Sequence, residues 1–173
     1  KRFKRFLVYL CAPKKILMDY GIVIEKIHQE LKAYWGKGKV ADYIPALAGV
    51  EPKRYGIAIE TLDGHSFQVG DADIRFSIQS ISKVFALAMV TRHLGDRIWK
   101  FVGREPSGNP FNSLVQLEYE HGIPRNPFIN AGALVVTDRL MSLYEQPKDA
   151  ILQFVRSICG NDDIYYDKHI ARS

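Results

Sequence analysis

The sequence predicts a mixed α/β protein, and three features of the chain lead to that class. Apolar residues spaced four apart between residues 19 and 35 predict an amphipathic helix. Two short runs of β-forming residues flank Asp63-Gly64 and predict a hairpin. A long apolar run from Ile81 to Val90, followed by further segments rich in helix formers, predicts that the rest of the chain is mostly helical.

The first helix is predicted from a single apolar stripe. The stripe consists of Val23, Ile27, Leu31 and Trp35, with Ile24 and Tyr34 beside it. Residues spaced in this way share one face of a helix, so we expect these side chains to be the buried ones. Gly36 and Gly38 end the helix. Pro45 disfavours helical geometry at the residue before it and predicts a short turn there.

The hairpin and the next helix are predicted to follow each other along the chain. Tyr55–Thr61 and Ser66–Gly70 are the expected strands, because Asp-Gly between alternating apolar residues is a strong hairpin signal. The run Ile81–Val90 is longer than an ordinary strand and favours a buried helix, which Gly95 would end. The two segments 106–110 and 122–127 are dense in Pro, Gly and Asn and predict loops. Further helices are expected at Leu114–Glu120, Ala131–Tyr144 and Ala150–Cys159.

Composition is that of a soluble globular protein. The 173 residues are 47% hydrophobic and 25% charged, and no segment reaches the roughly twenty apolar residues that a membrane helix needs. The net charge is +5, but six basic residues and no acidic ones lie in residues 1–17, so the rest of the chain has 18 basic against 19 acidic residues. A body that is near neutral, without a phosphate-binding loop, argues against nucleic acid as a partner.

Residues 1–17 are expected to be a basic extension outside the fold, which would then occupy residues 18–173. They match a secretory signal poorly, because the apolar run is short and Pro13-Lys14-Lys15 stands where small residues should be. A basic amphipathic arm at a membrane surface is the alternative. Cys11 and Cys159 have no metal-ligand or CxxC spacing, which favours free thiols in a reducing compartment such as the cytoplasm.

Ser80-Ile81-Ser82-Lys83 places a hydroxyl and an amine one helical turn apart at the start of the buried helix. A serine becomes a good nucleophile when a neighbouring base takes its proton, and a lysine can act as that base when burial keeps its amine neutral. Nine serines and thirteen lysines yield roughly one Ser-x-x-Lys by chance, so the pattern alone is weak. The competing interpretation is an N-cap serine followed by a solvated lysine.

Other catalytic patterns find no support in the sequence. It contains no Gly-x-Ser-x-Gly and no His-Glu-x-x-His. The five histidines are scattered singly, without the spacing of metal ligands. We therefore expect neither a metal nor an organic cofactor.

Several motifs, taken in order, resemble the serine-dependent glutaminases. They are Gly38-Lys39-Val40-Ala41-Asp42-Tyr43-Ile44-Pro45, Asp63-Gly64, Gly70-Asp71, Phe76-Ser77-Ile78-Gln79-Ser80-Ile81-Ser82-Lys83, Val102-Gly103-Arg104-Glu105-Pro106-Ser107-Gly108 and Asn126-Pro127-Phe128-Ile129-Asn130-Ala131-Gly132-Ala133. The resemblance runs from about Met18 to the end. It implies the fold of serine β-lactamases and penicillin-binding proteins, and the last two motifs distinguish glutaminases from β-lactam-acylating enzymes, which share Ser-x-x-Lys.

The resemblance implies hydrolysis of L-glutamine to L-glutamate and ammonia through a seryl acyl-enzyme. Ser80 would be the nucleophile and Lys83 its base, while Tyr43, Gln79 and Asn130 would line the substrate pocket beside Ser80. Two of these residues have an alternative interpretation. Tyr43 could be a packed core aromatic and Asn130 a helix cap.

The resemblance also implies that part of the site is missing from the printed sequence. In the family, a pocket glutamate, a further asparagine, two tyrosines and one oxyanion-hole N–H come from later sequence. We therefore expect a fold that is incomplete at its carboxyl end, and the alternative function is a catalytically inert glutaminase fragment that acts at most as a ligand-binding or assembly module. Family members usually self-associate, so a homo-oligomer, dimer or tetramer, is the expected state.

Overall fold

The computed structural model describes residues 18–108, 110–111 and 120–172. They belong to two compact units, one formed by residues up to 75 together with 169–172, the other by residues 76–168. The predicted extension 1–17 and nearly all of the predicted helix Leu114–Glu120 lie outside the described residues. No helix within the described part of the chain is long and apolar enough to cross a bilayer.

The first unit contains the predicted hairpin. Strands β1 (Gly56–Glu60) and β2 (Ser66–Gly70) pair antiparallel, with Ile57 opposite Val69 and Ile59 opposite Phe67. Side chains alternate between exposed and partly buried positions along both strands, so one face of the hairpin is covered and the other faces solvent.

The turn between the strands is held by polar contacts. The Thr61 backbone N–H donates to the His65 carbonyl at 2.9 Å, and Gly64 adopts a positive φ of 89°. The Thr61 hydroxyl donates to the Asp63 carboxylate, and His65 Nδ1 lies 3.2 Å from the same oxygen. These contacts, with Thr61 contributing most, hold the pKa of Asp63 below its ordinary value. The hairpin prediction is confirmed, including its turn.

Helix α1 (Tyr20–Leu31) packs on this hairpin and continues as a 3-10 turn over Lys32–Tyr34. Asp19 caps it by accepting a hydrogen bond from the Ile22 N–H at 3.2 Å. The predicted helix is confirmed, and its predicted apolar face is correct in part. Ile24, which lies beside the predicted stripe, is fully buried, and Leu31 and Trp35 are partly buried. Val23 and Ile27 are each more than a third exposed.

The helix is rotated slightly from the predicted stripe, since buried Ile24 and partly buried His28 share one face of it and His28 contacts the residue before β1. The His28 ring stacks 5.7 Å from Tyr55, at the start of β1, and lies 5.3 Å from Trp35. Two further 3-10 turns complete the unit, Pro45–Leu47 and Ile170–Arg172, and they contact each other. The turn that Pro45 predicts is thus present.

In the described part of the second unit, every regular element is a helix. After a 3-10 turn at Gln79–Ile81 come α2 (Ser82–Leu94), a 3-10 helix at Gly95–Lys100, α3 (Asn130–Leu143) and α4 (Pro147–Cys159). These positions confirm the predicted helices in 81–90, 131–144 and 150–159.

The core of this unit forms where α2 and α3 meet. Its buried side chains are Ala86, Met89, Val90, Ile98, Val102, Val136 and Leu140. Helix α4 covers one side of the cluster with partly buried Ile151 and Phe154. The predicted burial of α2 is only partial, since Val84 at its outer face is 50% exposed. This packing fixes the amino-terminal ends of α2 and α3, where two predicted site residues, Lys83 and Asn130, lie.

Candidate active site

Ser80 lies in the 3-10 turn Gln79–Ile81, just before α2 begins. Its side chain is exposed, and among the described residues its hydroxyl has no hydrogen-bond partner. The residue at the N-cap of α2 is Ile81, which makes no side-chain cap. The interpretation of Ser80 as an N-cap is therefore wrong, and its hydroxyl is free to react.

Gln79 precedes Ser80 and has an unusual backbone conformation. Its φ is +47°, in the left-handed region that residues other than glycine seldom adopt. The side chain is partly buried and donates from Nε2 to the Ser77 hydroxyl at 2.8 Å. Such a conformation costs on the order of 1–2 kcal/mol, and strain of this kind clusters at functional sites.

Lys83 lies in the first turn of α2, where its side chain is partly buried. The amine donates to the backbone carbonyl of Phe128 at 2.9 Å and to Oδ1 of Asn130 at 2.8 Å. Both acceptors stand at the beginning of α3. The alternative of a solvated lysine is therefore wrong, because Lys83 joins the starts of two helices.

Asn130 is the first residue of α3. The N-cap position belongs to Ile129, and no side chain caps this helix end, so the interpretation of Asn130 as a cap is also wrong. Its Oδ1 accepts from Lys83, and its backbone N–H donates to the Phe111 carbonyl at 2.8 Å. Within the described part of the chain, Nδ2 of Asn130 has no acceptor, which leaves it able to bind an oxygen of a ligand.

The loop before α3 is organised by Asn126, to which the sequence analysis assigned no role. Its Oδ1 accepts from the N–H groups of Phe128 at 2.9 Å and Ile129 at 3.1 Å. Its Nδ2 donates to the Glu105 carbonyl at 3.0 Å. The side chain thus links the loop to the Glu-Pro-Ser-Gly segment.

Two glycines allow the backbone to approach itself closely here. A Cβ at Gly132 would lie 1.9 Å from the Asn126 carbonyl oxygen, and one at Gly103 would lie 2.6 Å from the Arg125 carbonyl oxygen. The Gly103 N–H also donates to the Pro124 carbonyl at 2.7 Å. The backbone at Gly103 and at Gly132 therefore lies so close to the loop carbonyls of residues 125 and 126 that a side chain at either glycine would overlap them.

Phe111 is a second residue that sequence reasoning missed. Its ring centroid lies 6.0 Å from the Lys83 amine, at the outer limit of a cation–π contact, and its side chain is 54% exposed. No residue-type pattern marks it, since its other contact is made by its backbone carbonyl.

Tyr43 belongs to the first unit, while the other four predicted site residues belong to the second. Its side chain is 78% exposed, which contradicts the alternative of a packed core aromatic. No group of three His, Cys, Asp or Glu side chains suited to a metal ion occurs among the residues that the structure describes.

The geometry offers a nucleophile and a candidate base. The Ser80 hydroxyl is free, and Lys83 follows it by one turn, although no hydrogen bond joins the two groups among the described contacts. Catalytic hydrogen bonds in unliganded enzymes are often long and tighten only when substrate binds. The amide of Asn130 supplies a donor beside this pair.

The chain belongs to the glutaminase family, whose model matches residues 38–173. Glutaminases of Salmonella arizonae and Salmonella newport are each 58% identical to it over 157 residues, covering 90% of this chain and 51% of the relative. The chain thus spans about half the length of these curated relatives.

Solved structures agree with the family. A structure titled probable glutaminase YbaS is 32% identical with a TM-score of 0.73, covering 86% of this chain and 50% of that one. A probable glutaminase of Bacillus subtilis is 27% identical with a TM-score of 0.64, covering 81% and 42%. The native form of Mglu is 38% identical with a TM-score of 0.68, covering 78% and 33%. The expected mixed α/β fold of β-lactamase type is confirmed.

Gly132→Ala is expected to destabilise the protein by about 2 kcal/mol, because the added methyl group would overlap the Asn126 carbonyl. Alanine is otherwise the better helix former by about 1 kcal/mol, so a loss cannot come from helix propensity. Chemical denaturation measures the change. The matched control is Gly49→Ala, where a Cβ meets nothing within 4 Å. Equal stability of the two variants would contradict the close approach.

Gln79→Gly is expected to be more stable than Gln79→Ala by about 1 kcal/mol, because glycine adopts a positive φ without steric cost. Both variants lose the hydrogen bond to Ser77, so their difference isolates the backbone strain. The measurement is again the free energy of unfolding. If alanine is as stable as glycine here, the strain at this position is absent.

Proposed function

We propose that the protein hydrolyses the side-chain amide of L-glutamine to L-glutamate and ammonia through an acyl-enzyme on Ser80. The Ser80 oxygen attacks the carboxamide carbon, and its proton passes through Lys83 to the leaving nitrogen, which departs as ammonia. Water then hydrolyses the glutamyl ester, returning the proton to Ser80. The observation that carries this assignment is the free Ser80 hydroxyl beside a Lys83 whose amine is held by two oxygens.

The contacts of Lys83 suit the role of a base. A neutral amine has two N–H groups and one lone pair, whereas an ammonium has three N–H groups. The Phe128 carbonyl and Asn130 Oδ1 accept two of the N–H groups of the amine, which leaves one remaining position on Nζ, a lone pair or a third N–H, for proton exchange with Ser80. A base held in this way keeps its orientation between the acylation and hydrolysis steps.

Glutamine as the substrate is supported by the relatives. A solved structure of Mglu, 37% identical and covering 78% of this chain, is described as its glutamate form. Glutamate is the acid that hydrolysis of the glutamine side-chain amide yields. We assign Gln79 and Asn130 to the substrate pocket, and the backbone N–H of Ser80 to the developing oxyanion. For Tyr43, which belongs to the other unit, substrate binding stays a prediction from the family resemblance alone.

The second candidate function is an inert fragment that binds a ligand or serves in assembly. It is favoured by the charge of the pocket residues, since a selective site for the α-ammonium of glutamine should contain a carboxylate. None of Tyr43, Gln79, Ser80, Lys83 and Asn130 supplies one. The relatives are about twice as long as this chain, so their other half is a source of the missing groups.

The test measures ammonia release from glutamine by two proteins. One is the 173-residue chain, and the other is a chimera in which this chain replaces the matching half of the Salmonella arizonae glutaminase. We expect Ser80→Ala to lower kcat on the order of a thousandfold or more, and Lys83→Met by about a hundredfold or more, because these changes remove the nucleophile and the base.

Ser82→Ala is the matched control, because it removes a hydroxyl two residues from Ser80 and outside the site. It is expected to leave the rate unchanged. Activity only in the chimera would identify the shorter chain as the inert form. Activity that survives Ser80→Ala in either protein would contradict the mechanism.

We also propose that the protein is a cytoplasmic homo-oligomer, on the strength of the family resemblance and the two isolated cysteines. Among the described residues, Cys159 is free and exposed. Size-exclusion chromatography of the 173-residue chain with light-scattering detection should give the mass of a dimer or tetramer. A monomer mass at assay concentration would overturn the assembly proposal.

A further inference from the structure

We infer that Asn126 is a positioning residue, whose carboxamide holds the Phe128 carbonyl against the Lys83 amine and so sets where that amine stands. Asn126 is the single buried polar side chain among the residues that the structure describes, with 9% exposure. Burying a carboxamide is unfavourable unless all of its polar atoms are bonded, so such a residue needs a specific role.

Among the residues that the structure describes, the polar atoms of this carboxamide bond only to backbone. Oδ1 accepts from Phe128 N–H and Ile129 N–H, and Nδ2 donates to the Glu105 carbonyl. These two bonds from successive N–H groups to one oxygen form an Asx turn. The Ile129 N–H and the Phe128 carbonyl belong to the same planar peptide group, so holding the N–H also holds the carbonyl. The direction of the Phe128 carbonyl is therefore determined by Asn126.

The Phe128 carbonyl is one of the two acceptors of Lys83, at 2.9 Å from Nζ. The other acceptor is Oδ1 of Asn130, the first residue of α3, which lies two residues after Phe128. Lys83 itself is attached to a different helix, 45 residues earlier in the chain. Any shift of the turn would move both acceptors relative to α2, and the amine would follow them.

Capping of α3 accounts for only one of these contacts. The helix begins at Asn130 with Ile129 as its N-cap residue, so the bond to the Ile129 N–H also satisfies a donor at the helix end. The bond to the Phe128 N–H lies before that end and has no part in capping. Its hydrogen bonds therefore serve the turn that carries the lysine acceptor.

The first test observes the Phe128 carbonyl directly. Phe128-Ile129 is the sole Phe-Ile pair in the sequence, so labelling phenylalanine with carbonyl ¹³C and isoleucine with ¹⁵N gives one carbonyl-to-amide NMR signal. The signal is recorded for the 173-residue chain and for Lys83→Met, which defines the carbonyl shift without its hydrogen bond. The Ile129 proton in the same signal reports the bond to Asn126.

Asn126→Ala and Asn126→Ser form a matched pair. Both remove similar volume, but the serine hydroxyl can still accept from the N–H groups two and three residues on. We expect the alanine variant to move the carbonyl signal to its Lys83→Met position, and the serine variant to keep it near the wild-type position. A carbonyl signal that stays in place in Asn126→Ala overturns the inference.

The kinetic test rests on the proposed function and uses whichever of the chain and chimera is active. Asn126→Ala is expected to lower kcat by about a hundredfold with little change in KM, because a displaced base affects the chemical step. Asn126→Ser should restore most of that loss. In a Lys83→Met background, Asn126→Ala should lower kcat no further, since its effect passes through the lysine.

The outcomes separate this inference from the proposed function. If Ser80→Ala keeps activity, the mechanism fails while the carbonyl measurement still decides the role of Asn126. Equal kcat losses in Asn126→Ala and Asn126→Ser would indicate lost volume and overturn the inference. If Asn126→Ala does not fold, Asn126→Ser decides together with its Ile129 proton, which reports the bond to residue 126. A carbonyl signal that changes only when that bond changes supports the inference, and a carbonyl signal that stays in place after the bond is lost overturns it.

Discussion

The hydrogen bonds from Lys83 to the Phe128 carbonyl and to Asn130 are the interaction on which the site depends. A partly buried amine needs oxygen acceptors, and here both come from the start of a second helix. Those acceptors must be presented at a fixed distance from α2. The helix packing supplies the coarse distance through Val90, Val136 and the rest of the core, while the turn before α3 supplies the final orientation. The geometry of the candidate site and the stability of the fold therefore depend on the same contacts.

A contrast in backbone conformation distinguishes the two sides of the site. On the Lys83 side, the turn is relaxed and its polar atoms are bonded. On the Ser80 side, Gln79 holds a left-handed conformation, and the neighbouring hydroxyl makes no hydrogen bond to any residue that the structure describes. The helix that follows, anchored by Met89 and Val90, keeps this segment in place. Packing energy from the core thus maintains an exposed, reactive group in a conformation that it would not adopt alone.

Much of this arrangement follows from local sequence signals. Asp63-Gly64 specified the hairpin, and the three-residue spacing of Ser80 and Lys83 found both candidate catalytic groups. The buried face of α1 could not be found so simply, because Ile24 and Val23 are adjacent apolar residues and tertiary contacts decided between them. Asn126 and Phe111 escaped notice for another reason. Their contacts involve backbone atoms, which every residue type has, so no pattern of residue types in the sequence indicates them.

The proline after Asn126 has a chemical consequence for how the protein ages. Asparagine deamidates when the backbone nitrogen of the following residue attacks its side chain, and that reaction requires an N–H. Pro127 has none, so this route is closed at Asn126. Conversion to aspartate would replace the donor to the Glu105 carbonyl with a charged acceptor in a buried position. The Asn-Pro pair therefore protects the Asn126 carboxamide, on which the turn is built, from this route of deamidation.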